Sequence, residues 1–148
     1  MVAAPHAPSS GFVVRVDYRL GEYLQVLQDF VPVALARKAA QAGNGKHGVR
    51  PLKWHQLIMM RFVGTLAFIY KSARVGACTF EVTSSEISRS SKSGVLRLPW
   101  SDVTQVYRLS GSYLIEKSAG AMPIPFRVLN ESNQRLLESL AGSKLVAV

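Results

Sequence analysis

From Thr79 to Val128 the apolar residues return at nearly every second position, a period that suits sheets and not helices. Six short strands can be read there: FEVT (80–83), EISRS (86–90), VLRLPW (95–100), TQVYRL (104–109), YLIEK (113–117) and MPIPFRV (122–128). Serine-, glycine- and aspartate-rich turns separate them. A seventh strand, FVVRVDY (12–18), stands near the start, with Phe12, Val14, Val16 and Tyr18 on one face. After the strands, Asn130 is placed to cap a helix over 131–141 whose Leu136, Leu137 and Leu140 face a core, and Gly142 follows its end. Seven strands and a closing helix imply an α+β fold, a small antiparallel β-barrel of pleckstrin-homology type. Residues 1–11 read as a flexible leader and 12–148 as one domain.

Between the first strand and the rest lies a helical insertion, 20–76. Leu20, Leu24, Leu27 and Phe30 recur at helical spacing, and Pro32 is expected to kink that helix or open a second one. GNGKHG (43–48) then ends the helical run. Leu57 to Tyr70 is apolar on every side except at Arg61, which suits a buried helix or a lipid-facing one. Fourteen residues rise only about 21 Å against roughly 30 Å of hydrocarbon, so an interfacial or re-entrant segment, or a core helix, fits better than a full span.

The charge pattern favours a surface role. Between Phe30 and Phe80 stand eight basic residues, Arg37, Lys38, Lys46, Arg50, Lys53, Arg61, Lys71 and Arg74, with no Asp or Glu among them. An acid-free basic block that flanks an apolar segment points to a polyanion, the anionic cytoplasmic leaflet before nucleic acid. Arg50, Lys53, Lys71 and Arg74 would meet headgroups, Arg61 would snorkel, and Trp54 and Tyr70 would sit at interface depth. Nucleic acid ranks last, because neither aromatic platforms nor a helix-turn-helix pattern accompanies the charge.

Trp100, Asp102, Val103 and Val106, then Tyr113 to Ile115, then Ile124, Pro125 and Arg127, preceded by a strand that runs into a helix at 12–30, resemble the YcxB-like family of bacterial proteins. The likeness covers 12–30 and 79–141. It implies a cytoplasmic pleckstrin-homology-like barrel with a pair of transmembrane helices inserted into it after the first strand. It supplies no catalytic residues. Members carry two long apolar runs, whereas this chain offers one interrupted run and an amphipathic 31–42. A single crossing is excluded if both ends of the insertion share one sheet.

Enzymatic chemistry finds no pattern to rest on. His6, His47 and His55 show no metal-ligand spacing, GNGKHG lacks the P-loop signature, and the serines at 84–93 have no nearby histidine and acid. Cys78 is the only cysteine, which excludes an internal disulfide and reads as a small buried hydrophobe. The expectation is a non-enzymatic protein without a cofactor, on the cytoplasmic side of the cell membrane, with anionic lipid as partner. Trp100, Asp102 and Arg127 are the candidate partner surface. Trp100 and Asp102 also fit an architectural role, tryptophan over one mouth of the barrel and aspartate capping PWSDV. Arg127 is placed to reach an acidic partner or a headgroup. The alternative is a soluble cytoplasmic partner-binding protein, such as a toxin-neutralising immunity protein, in which 57–70 is a core helix or a homo-oligomer interface.

Overall fold

The computed structural model describes residues 11–41, 53–118 and 120–148, with 71–75 as backbone only. All of the expected leader but Gly11, and the whole of GNGKHG, therefore fall outside the described residues. The first strand, β1 (Phe12–Val16), leads into two helices, α1 (Leu20–Gln41) and α2 (Trp54–Val75). Six strands follow: β2 (Cys78–Val82), β3 (Glu86–Ser91), β4 (Gly94–Pro99), β5 (Val103–Arg108), β6 (Ser112–Lys117) and β7 (Gly120–Pro125). Helix α3 (Glu131–Ala141) and a short last strand, β8 (Leu145–Ala147), complete the described order.

Alternation in the sequence becomes two inner faces. The strands form a four-stranded sheet in the order β1-β2-β3-β4 and a second in the order β7-β6-β5-β8. Val14, Val16, Phe80, Val82 and Ile87 of the first sheet meet Val106, Tyr113, Ile115, Met122 and Ile124 of the second in one core. Leu137 and Ala141 of α3 join the same core, with Leu136 and Leu140 beside them. Asn130 caps α3 as its spacing predicts, its side chain accepting from the Asn133 N–H at 2.8 Å. Gly142 follows with φ +54°, a conformation that glycine adopts without the Cβ penalty of other residues.

Several expectations need correction. The ladders do not close into one barrel of about seven strands, because the chain leaves the first sheet after β4 through a 3-10 turn at Trp100–Asp102 and enters the second. An eighth strand, β8, is present; three residues carry too short a pattern to read. The first strand ends at Val16, not Tyr18, since Tyr18 turns out to donate its hydroxyl to the Pro123 carbonyl at 2.6 Å. Of the two outcomes expected at Pro32, a second helix does not open there: α1 runs through it. Packing on two sides holds that helix, with Leu24 and Leu27 against Gly64 of α2 and Phe30 and Val33 against the second sheet. Tertiary contacts thus outweigh the roughly 3 kcal/mol that an interior proline costs.

The insertion leaves β1 and returns to its immediate neighbour β2, paired antiparallel from Phe12↔Val82 to Val16↔Cys78. Helix α1 lies on the outer face of the second sheet, where Val26 packs with Tyr107, Leu109 and Leu114. Arg37 Nη1 reinforces that seat by donating to Glu116 Oε1 at 2.8 Å and to the Tyr107 hydroxyl at 3.1 Å. Asp29 accepts from the Ser110 backbone N–H at 3.1 Å in the β5–β6 turn. Helix α2 packs against α1 and forms the outermost layer on that side.

Candidate membrane-binding face

Helix α2 presents one side to α1 and leaves the other open. Its start is set locally: the Lys53 backbone N–H donates to Gln56 Oε1 at 3.0 Å, half of a capping box. Gly64 is buried at the crossing with α1, and a Cβ built there would lie 2.8 Å from Leu27 Cδ1 and 3.0 Å from Leu24 Cδ2. Leu57, Met60 and Phe68 are half-buried on the same side, and the Phe68 ring stands 5.6 Å from that of Tyr23.

Residues two positions either side of Gly64 lie about 160–200° away around a helix, so Phe62 and Leu66 face outward. Ile58, Met59, Val63 and Ile69 surround them, and all six are exposed. Phe62 is 68% exposed and Met59 69%, far above what a folded core helix leaves in water. Trp54 and Tyr70, at opposite ends of this stripe, are likewise exposed. The whole apolar run therefore divides into a packed side and an open side, a division that an all-round apolar sequence conceals.

Arg61 lies three residues before Gly64, hence about 60° from the α1 contact and off the centre of the open stripe. It is exposed, and its carbonyl accepts from the Thr65 hydroxyl at 2.7 Å. Lys53 is exposed at the start of α2, and Lys71 and Arg74 stand in its last turns. Arg50 falls outside the described residues. The basic block is not uniformly outward, since Arg37 pairs with Glu116 and Tyr107; that ion pair raises the Arg37 pKa.

The second group of candidate residues is dispersed, with Trp100 half-buried and Asp102 and Arg127 exposed. Trp100 is half-buried against the core, and its Nε1–H donates to the Thr83 carbonyl at 2.9 Å. Its own carbonyl accepts from Lys144 Nζ. Asp102 is exposed at the end of the 3-10 turn, which has no side-chain cap, so the capping role expected of it is not present. Arg127 has an acidic partner in Glu22, and it also donates to the Asp17 carbonyl at 2.5 Å. Burial pushes the Glu22 carboxyl up, but the hydrogen bonds from Arg127 and the Arg19 backbone N–H, with the charges of both arginines, together more than reverse this and leave it below its ordinary range. Arg127 thus clamps the β1–α1 junction onto the segment after β7. Sequence spacing gave no signal for that pair, which is 105 positions apart.

Two further features bear on what the molecule can do. No helix among the described residues is long and apolar enough to cross a membrane. Among the same residues, no group of three or more His, Cys, Asp and Glu side chains converges as a metal site would require. Comparison with protein-family models, with curated proteins and with solved structures finds no match to this chain.

Proposed function

We propose that this protein is a non-enzymatic, membrane-surface-binding protein that lies on the cytoplasmic side and attaches through α2. The observation that carries this reading is the open apolar stripe of Ile58, Met59, Phe62, Leu66 and Ile69 inside an acid-free basic segment. A helix of 22 residues is about 33 Å long, and laid flat it places Trp54 and Tyr70 together at headgroup depth. Full burial of one such side chain is worth about 1.5–3 kcal/mol, so partial insertion of five gives on the order of 5 kcal/mol. Each basic residue near an anionic surface adds about 1 kcal/mol. That is reversible binding, made selective for anionic lipid by Lys53, Lys71 and Arg74.

The two-sheet body with α3 is read as an opened pleckstrin-homology-like barrel, and the chain as YcxB-like. Support comes from the strand order, the terminal helix against the core and the insertion after the first strand. On this reading the body displays a protein- or lipid-binding surface above the bilayer. A flat α2 also suits a helical pair that leaves and rejoins neighbouring strands of one sheet.

Flotation with phosphatidylserine-containing vesicles tests the proposal. The wild-type chain should float at low salt, float less as salt rises, and bind poorly to pure phosphatidylcholine. A triple variant with Ile58→Ser, Phe62→Ser and Leu66→Ser should stay in the dense fraction while keeping its melting temperature. Equal flotation of the triple variant would overturn the assignment, and so would a wild-type chain that forms dimers through this stripe and ignores vesicles.

A further inference from the structure

The second sheet is antiparallel except at one edge, where β8 joins β5 in parallel through Val106↔Leu145, Tyr107↔Val146 and Arg108↔Ala147. One further bond, Val148 N–H to the Arg108 carbonyl at 3.1 Å, ends the ladder. Parallel pairing is slightly weaker per residue than antiparallel, and β8 has only three residues and, among the described residues, no strand on its outer side. None of the three is buried, whereas β6 beyond β5 holds four buried residues in succession. The chain reaches β8 through a short 3-10 turn that starts at Gly142, with its positive φ.

Each aliphatic residue of β8 goes to a different place. Leu145 packs against the core between the sheets, and Val146 against the cluster of Val26, Tyr107, Leu109 and Leu114 beneath α1. The alternation is that of a strand ligand: main-chain bonds give affinity, and successive side chains enter pockets on opposite faces. Removing β8 would bare the backbone groups of Val106 to Arg108, an open edge of the kind extended segments dock on.

We propose that the β5 edge is a strand-docking site, filled within the chain by β8 as a displaceable strap. Its occupant in trans is an extended segment of a partner protein with two adjacent bulky aliphatic residues followed by a small one, the pattern of Leu145, Val146 and Ala147. Because Val146 touches the cluster that seats α1, exchange of the strap for a partner acts on the seat of the α1–α2 pair. The inference stands apart from lipid binding and holds or fails on its own test.

A fluorescent peptide of residues 142–148 is titrated against the full chain and against a full-length variant carrying Leu145→Asp and Val146→Asp. The variant should bind the peptide at least tenfold more tightly than wild type, and a peptide with serine at both aliphatic positions should not bind. Hydrogen exchange on the wild-type chain needs no variant: amides of 145–148 should exchange at least a hundredfold faster than those of β6. If the double variant does not fold, the milder Val146→Thr variant takes its place in the titration. A folded variant that leaves the peptide unbound overturns the proposal, as do β8 amides that exchange as slowly as those of β6.

Discussion

Gly64 of α2 stands directly against Leu27 of α1, at a distance where any side chain would touch Leu27 Cδ1. Two effects oppose each other at this position. Alanine favours a helix over glycine by up to about 1 kcal/mol, while the leucine tips must yield by a few tenths of an ångström. Those tips are flexible, so Gly64→Ala should change stability by less than about 1 kcal/mol. Gly64→Leu overpacks the crossing and should cost about 1–3 kcal/mol, read as a lower chemical-denaturation midpoint. An unchanged midpoint for the leucine variant would mean that the helices do not meet here.

The Glu22–Arg127 pair ties acid stability to one contact. The Glu22 carboxyl sits below its ordinary pKa when folded, so the unfolded chain takes up the proton first as pH falls. The stabilisation is present above the ordinary carboxylate range and fades as pH drops through the lower folded value. Glu22→Gln should therefore reduce stability at pH 7 and lose its difference from wild type in acid, once the folded carboxyl is itself protonated. Paired denaturation curves at pH 7 and in acid check this, and a difference that persists in acid would contradict it.

Three tyrosines give the opposite limb. Burial raises the pKa of Tyr18, Tyr107 and Tyr113, and the Glu138 hydrogen bond raises Tyr113 further. The unfolded chain loses these protons first, so the stabilisation is whole below about pH 10 and is lost as pH rises toward the folded values. Phenolate absorbance from these residues should appear together with the loss of far-ultraviolet circular dichroism. Tyr113→Phe should lower the alkaline phenolate amplitude that accompanies unfolding and cost about 1 kcal/mol at pH 7, from the lost bond to Glu138.

Helix α3 holds the core through Leu137, which is fully buried. Leu137→Ala should cost about 2–5 kcal/mol, and Asn130→Ala, which removes the cap, about 1 kcal/mol. Thermal melts would separate the two. A near-silent Leu137→Ala would show that α3 does not close the space between the sheets.

How much of this was legible in the chain follows from the range of each interaction. Helix α3 could be read in full, because its cap, its leucine spacing and Gly142 are all local signals. Strands β2 to β7 announce themselves by period, and Pro123 and Pro125 lie on an edge strand, β7. The split into two sheets was not legible, since a turn such as Trp100–Asp102 has the same local chemistry whether or not the ladder continues. The site was legible as a block and not as a face: an apolar run in which every side looks alike acquires direction only when Gly64 meets Leu24 and Leu27. Arg37 looked like part of a free basic surface until its carboxylate partner, Glu116, arrived from β6.

Trp54 gives the most direct reading of membrane attachment. The chain has two tryptophans, Trp54 exposed on α2 and Trp100 half-buried against the core, so Trp100→Phe leaves Trp54 as the sole reporter. On addition of phosphatidylserine-containing vesicles its emission should move to shorter wavelength. Lipids brominated near the headgroup should quench it more than lipids brominated near the bilayer centre, as expected of a helix lying flat. A folded protein whose Trp54 emission neither shifts nor is quenched would contradict membrane binding through α2, and stronger quenching from the bilayer centre would contradict the flat orientation.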